Sequence, residues 1–491
     1  MAIDQRKAPL FEALAAHDRL RTGSFHVPGH KGRAGWGDGR AAAYYESLLA
    51  LDVTELSDTD DLHHPEGPLL EAQALAAECF GAEETRFLVG GSTSGNLAMI
   101  IGVCGPGDLV IVQRNVHKSI VHGLMLAGVR AVLLPPEIDP PSGLATVPGE
   151  RLVAEALKRY PEAKALILSS PNYYGMSTDL KPTIEIAHRR GVPVLIDEAH
   201  GAHFGFHPHF PPSALKAGAD ITVQSTHKML GAMTMGAMLH MQGDRIPRAS
   251  IRQMLTMIQS SSPSFPIMAS LDLARWQLFR DKEHTFSAAI EAVLHIMEVL
   301  EGTPFKALGY GKHASADLAY DPLKLVLFDE TGHLTGFRLR DELEQRRCVA
   351  EMADEKYVVL TFGPGTTKED GHRLEAALLA IADLEQEERL TVGPIRERTF
   401  SEGEDPFLPE PVLFDREEGK AVSIPLEGSA GRKAAEWVIP YPPGIPVLYP
   451  GETITESIIG RLRRWRHEGA RIQGVRDPQL REIRVRQEND R

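Results

Sequence analysis

The sequence predicts an α/β protein, a mainly parallel sheet covered by helices and followed by a smaller α+β domain. Three observations point there. Short, almost wholly apolar runs recur between residues 85 and 226 and alternate with stretches of helical period, the pattern of crossover units whose strands are buried on both faces. The run Gly236–Met241 follows the strand before it too closely for a helical crossover, so it should pair antiparallel. The character then changes over 303–325.

In chain order, Leu10, Phe11, Leu14 and Leu20 mark an amphipathic helix over 8–20. A Gly/Pro-broken loop, Ser24–Arg33, and an acidic loop, 51–68, follow. Helix 69–80 leads to strand 85–89, a Gly-Ser turn at Gly90–Gly95 and helix 96–104. Strands are expected at 108–113, 131–135, 165–170, 193–198 and 221–226, with helices near 118–127, 150–159 and 181–190. Residues 270–300 read as helical. Strand 323–328, helix 336–347 and strand 357–362 form the smaller domain. Residues 386–425 are charged with weak periodicity; a proline-rich turn at 440–452 and a basic helical tail end the chain. The expected divisions are an N-terminal segment 1–50, a large domain 51–300 and a smaller domain 301–491.

The 491 residues suffice for a large core, and a net charge of −14 argues against broad binding to nucleic acid. The three cysteines, Cys79, Cys104 and Cys348, are too scattered for a disulfide frame or a CxxC site. The twenty histidines form no HExxH or matched Cys/His pattern, so no metal site is expected. The first residues lack the layout of a signal peptide and no run is long enough to span a bilayer. A cytoplasmic protein without membrane contact is the expectation.

The chemistry gathers at Val223-Gln-Ser-Thr-His-Lys-Met-Leu230. Lys228 follows a strand end and the polar Ser225-Thr-His227 and precedes Met-Leu-Gly with no other charge nearby, where a surface lysine would sit in a more polar stretch. Desolvation lowers an amine's pKa and makes it a nucleophile. Val194–Glu198 ends in Asp197, a strand-end carboxylate that needs a cationic partner in the sheet interior. Glu198 should face the other way. Gly90–Gly95 offers free N–H groups and the hydroxyls of Ser92, Thr93 and Ser94 at a helix N-terminus, which favours an anion. His117 follows another strand and could lie on a flat ring. An amine, an acid, histidines and an anion-cradling turn are the parts needed to hold pyridoxal 5′-phosphate, with Lys228 carrying its aldehyde as a Schiff base.

With these motifs in place, the sequence resembles the Orn/Lys/Arg decarboxylases, aspartate-aminotransferase-like enzymes of pyridoxal-phosphate fold type I, in their shorter Gram-positive-type branch. The resemblance is carried by His26-Val-Pro-Gly-His-Lys31, Asp60-Asp-Leu-His63, Gly91-Ser-Thr-Ser-Gly-Asn96, Arg114-Asn-Val-His-Lys-Ser119, Asp197-Glu-Ala-His-Gly-Ala-His203, Ser225-Thr-His-Lys228, Ser260-Ser-Ser-Pro263 and Tyr441-Pro-Pro-Gly-Ile-Pro446. It implies that Asp197 pairs with the pyridine nitrogen, that His117 stacks on the ring, that Ser92, Thr93, Ser94, Ser225 and His227 hold the phosphate or its surroundings, and that His200 lies close by. It also implies a homodimer or higher homo-oligomer with shared sites, Ser261 or Ser262 reaching a neighbour's phosphate.

The implied reaction is α-decarboxylation of a basic amino acid, arginine to agmatine first, lysine or ornithine next, in polyamine synthesis. An aminotransferase or lyase of the same fold is the rival; a transaminase would grip the substrate carboxylate with an arginine, and Arg338, Arg340 and Arg373 are the candidates. Asp58, Asp60, Asp61 and Glu452 are the carboxylates available for the distal cation.

Overall fold

The computed structural model describes residues 4–20, 22–388, 408–414, 421–440, 444–467 and 471–487. The expectations for 389–407, 415–420 and Tyr441–Pro443 lie outside them.

The central sheet runs in the order Glu84–Leu88, Ala237–Met241, Ile221–Gln224, Val194–Asp197, Leu166–Ser169, Leu109–Gln113, Arg130–Leu134 and Val412–Leu413. The five strands from Ile221–Gln224 to Arg130–Leu134 are parallel. Ala237–Met241 pairs antiparallel with both its neighbours, as its short connection requires. The two-residue alternation of a strand sorts the core onto two faces. Val110, Val112, Leu195 and Val223 pack under helices Gly91–Val103 and Lys118–Ala127. Leu109, Ile111, Val194 and Ile196 pack under Glu150–Arg159 and Lys181–His188.

Two departures from the sequence expectation matter for the site. The helix expected from residue 96 begins at Gly91, so Ser92, Thr93 and Ser94 form its first turn. Gly95 explains how that turn reaches the sheet: a Cβ there would lie 2.7 Å from Leu88 and 2.8 Å from Val223, so only glycine lets the helix press so closely. The helical run expected over 270–300 is two helices, Phe265–Asp281 and Ser287–Leu300, joined by a 3₁₀ turn. Lys282, at φ +50°, redirects the chain there, so the second helix joins the next core.

That core belongs to an antiparallel sheet of Met352–Ala353, Val358–Thr361, Lys324–Asp329 and Phe305–Ala307. Helices Gly336–Gln345 and Lys368–Glu388 cover it. It is continuous with Ala202, Phe204, Met229 and Leu230 of the large domain, the residues flanking the Lys228 turn. Residues between 426 and 485 bury a separate core. This C-terminal segment docks on the large domain through Arg114 Nη2, 2.8 Å from each carboxylate oxygen of Glu452, and through Lys118 N–H, which donates to the Gly444 carbonyl at 3.0 Å.

Candidate active site

Asp197 ends, and Lys228, Tyr173 and His117 follow, four adjacent strands of the parallel set, at the carboxyl end of the sheet. The carboxyl ends of such strands are where α/β sheets build their clefts. Lys228 stands in the single turn Thr226–Met229, and its N–H donates to the Ser225 carbonyl at 3.0 Å. Its Nζ is 2.9 Å from His200 Nε2. Burial lowers the lysine, opposed by the charges of Asp197 and Glu351. Burial also holds His200 well below its ordinary pKa, so its Nε2 is an acceptor for the lysine N–H. The His200 ring lies against Tyr173, centroids 4.5 Å apart.

Asp197 is 5% exposed. Burial raises its pKa, while the charge of Lys228 and hydrogen bonds from Asn96 and the Ala199 N–H pull it back. Its bonds fix the orientation of a chain of groups. A carboxylate only accepts, so Asn96 Nδ2 donates to Asp197 Oδ2 at 2.9 Å; its second hydrogen goes to Ser119 Oγ, also 2.9 Å. The Ser119 hydroxyl then donates to His117 Nδ1 at 2.8 Å. His117 caps the helix Lys118–Ala127, taking the Ser119 N–H on the same nitrogen. With Nδ1 accepting twice, the proton sits on Nε2, and burial takes the pKa down to about 3. The ring is neutral and flat.

Of the other sequence-predicted residues, Ser94 donates to the Gly91 carbonyl at 2.8 Å, Ser92 is half-buried and Thr93 exposed on the same first helical turn. Ser225 Oγ, Thr226 Oγ1 and His200 Nδ1 are buried without a hydrogen-bond partner among the described residues. His227 Nδ1 donates to the Gly236 carbonyl at 2.9 Å, which leaves Nε2 uncommitted. Glu198 faces away, accepting from the Ala214 N–H and from Gln224 at 2.7 Å each. Ser261 and Ser262 are exposed in the loop before Phe265. The acids considered for a distal cation have local partners: Asp58 is 2.9 Å from His17, Asp60 accepts backbone N–H groups of Glu66 and Gly67, Asp61 caps His63, and Glu452 is held by Arg114. The arginines considered as carboxylate clamps lie on helices outside the cluster: Arg340 pairs with Asp341, Arg373 lies 3.9 Å from Glu369, and Arg338 is exposed.

The sequence reading passed over Asn96, Ser119, Tyr173, Glu351 and Lys324. Asn96 carried a signal, an amide inside an apolar helical run where it is a poor helix former. Lys324 carried a signal of its own, a lysine within the apolar run Leu323-Lys-Leu-Val-Leu-Phe328. Packing also brings His295, His372 and Glu375 together within 4.8 Å, from two helices far apart in sequence; His295 and Glu375 already form a 2.8 Å pair.

These residues fit pyridoxal phosphate. The orphaned hydroxyls of Ser225 and Thr226 and the open helix N-terminus at Gly91 suit an anion, and the buried Asp197 suits a ring N–H. Residues 8–305 match the family described as "Orn/Lys/Arg decarboxylase, major domain", and residues 407–476 match its C-terminal domain. The chain belongs to the Orn/Lys/Arg decarboxylase family. The family is one of pyridoxal-phosphate enzymes. An uncharacterized Bacillus subtilis protein, YaaO, is 42% identical over 96% of this chain and 98% of its own length. A Bacillus subtilis arginine decarboxylase is 36% identical over 98% of both chains. The crystal structure of the Francisella novicida lysine decarboxylase LdcF superposes with a TM-score of 0.77 at 21% identity, covering 98% of this chain and 81% of that one. It shares the fold. No helix among the described residues is long and apolar enough to cross a membrane.

Proposed function

We propose that this chain decarboxylates L-arginine to agmatine and CO2, with pyridoxal phosphate held at the Lys228 cluster. The observation that carries the reaction is the buried amine of Lys228, bonded to His200 at 2.9 Å and facing the charge of Asp197. The choice of arginine rests on the 36% identity to the Bacillus subtilis arginine decarboxylase.

When bound, pyridoxal phosphate supplies the electron sink that lets a carboxylate leave as CO2. The chain's own residues do the rest. Ser225, Thr226, His227 and the Gly91–Ser94 turn would hold the phosphate. Asp197, whose charged form the bonds from Asn96 and the Ala199 N–H favour against burial, would hold the ring nitrogen's proton. His117, neutral and fixed through Ser119, would lie on the ring face. Lys228 would be the amine that holds the aldehyde of the bound group. Its Nζ would then be the acid that passes a proton to Cα, with neutral His200 Nε2 accepting a hydrogen bond from the amine and so orienting it.

A homodimer completes the proposal. Phe25 is 98% exposed, Tyr44 86% and Leu20 66%, with Val27, Trp36 and Tyr45 beside them in sequence and also open. Such a concentration of bare apolar side chains in one segment suits a second copy of the chain. The exposed Ser261 and Ser262 would then reach the neighbour's phosphate.

The test is CO2 release by the purified holoenzyme from arginine, lysine and ornithine supplied separately. Agmatine as the major product supports the proposal. Faster turnover of lysine or ornithine overturns the choice of substrate. A keto acid formed without CO2 overturns the reaction.

A further inference from the structure

Lys324 opens the strand Lys324–Asp329 of the smaller domain and is 5% exposed. Its stem lies under the turn that carries Tyr173. Gly175, at φ +79°, is so close that a Cβ there would come within 2.7 Å of Lys324 Cβ, and the Gly175 carbonyl accepts the Asp321 N–H at 2.9 Å. The ammonium is thereby held 5.9 Å from the centre of the Tyr173 ring, the same ring that Lys228 Nζ approaches to 6.0 Å. Two lysines from different domains thus converge on one aromatic ring.

An ammonium carries three N–H donors. Lys324 spends one on Thr361 Oγ1 at 2.8 Å, a neutral partner. No carboxylate among the described residues forms an ion pair with it; Glu351 and Asp321 act on its charge from farther off, and Glu351 Oε1 accepts the Tyr173 hydroxyl at 2.9 Å. Burial brings its pKa down to about 8, so it remains mostly charged at neutral pH. A buried cation with donors to spare and no anion of its own is costly unless something that binds there pairs with it.

We propose that Lys324 seats the α-carboxylate of the amino-acid substrate. The inference rests on the decarboxylase reading. A basic amino acid has a single anionic group, one carbon from the amine that replaces Lys228, and Lys324 is the cation that shares Tyr173 with Lys228. The arginines that could have served sit on outer helices. Once CO2 has left, the contact has no anion to hold, so the amine product should be indifferent to Lys324.

That asymmetry is the test. Holoenzymes carrying Lys324→Met, or Lys324→Gln, which keeps a donor for Thr361, are compared with wild type on whichever basic amino acid the wild type decarboxylates. KM for the amino acid should rise roughly ten- to hundredfold, the range for a lost charged hydrogen bond. The inhibition constant of the amine product should stay within about twofold and the bound-cofactor absorbance should persist. Equal weakening of amino acid and amine, or of neither, overturns the inference, as does loss of the cofactor with the ratio of the two affinities unchanged. A wild-type enzyme that releases no CO2 from any of the three amino acids overturns the decarboxylase reading and the inference together.

Discussion

Asn96→Ala tests the chain of hydrogen bonds that ties the acid to the ring-stacking histidine. Asn96 is fully buried and its two N–H groups serve Asp197 and Ser119 at 2.9 Å each. A hydrogen bond to a charged group contributes about 1.5–3 kcal/mol and a neutral one about 0.5–1.5 kcal/mol. The truncation therefore removes roughly 2–4 kcal/mol of interaction, less whatever an entering water restores. Function feels it because Asp197 is already raised by burial; without its donor the acid tends further toward its neutral form and holds a cationic ring less well. Ser119 loses its fixed orientation, and with it His117. A loss of about 1.5–3 kcal/mol in transition-state stabilisation reads as a roughly 10- to 150-fold fall in kcat/KM. The assays are steady-state kinetics with saturating cofactor and thermal melting with and without cofactor. The variant should melt a few degrees lower, and cofactor should stabilise it less than wild type. Unchanged kcat/KM with an unchanged melting point would refute the network as an organising element.

Further outcomes follow from other parts of the structure. Asp197→Asn should retain cofactor and lose at least about a hundredfold in kcat, because a neutral partner does not keep the ring nitrogen protonated; near-normal turnover would contradict its role. Glu452→Ala breaks the half-buried pair with Arg114 beside the His117 loop; it should weaken cofactor binding a few-fold, seen by titration of the apoprotein, while kcat at saturation stays within about twofold. His240 is buried between Thr85 and Gln224, and desolvation takes its pKa down to about 3. The folded state thus resists a proton the unfolded chain accepts near pH 6.5, so this contribution is full above that pH and is lost as pH falls through 6.5 toward 3. His240→Gln should flatten the acid limb of stability over that window, by up to roughly 5 kcal/mol, measured by urea unfolding at several pH values. An unchanged acid limb would contradict the assignment.

Much of this was legible in the sequence because the large domain obeys local rules. Apolar strands such as Val194–Asp197 and Ile221–Gln224 are bounded by turns, and the early return of Ala237–Met241 settled its direction. Lys228 and Asp197 stood out as charges in apolar surroundings. Partnerships across long sequence separations were not legible. Asn96 meets Asp197 only because helix Gly91–Val103 lies against that strand's end. Lys324 reaches Tyr173 through the seam between two domains, and the acids near residue 60 turned out to serve their own loops. The break at Lys282 depended on a backbone turn that helical periodicity does not reveal.

The most direct test of the central claim is borohydride reduction of the holoenzyme followed by peptide mapping. The account predicts a pyridoxyl mass on the peptide bearing Lys228, and none there in Lys228→Ala, whose visible cofactor band is also gone. A label on another lysine, Lys324 included, or no label on protein that turns over arginine, would contradict it.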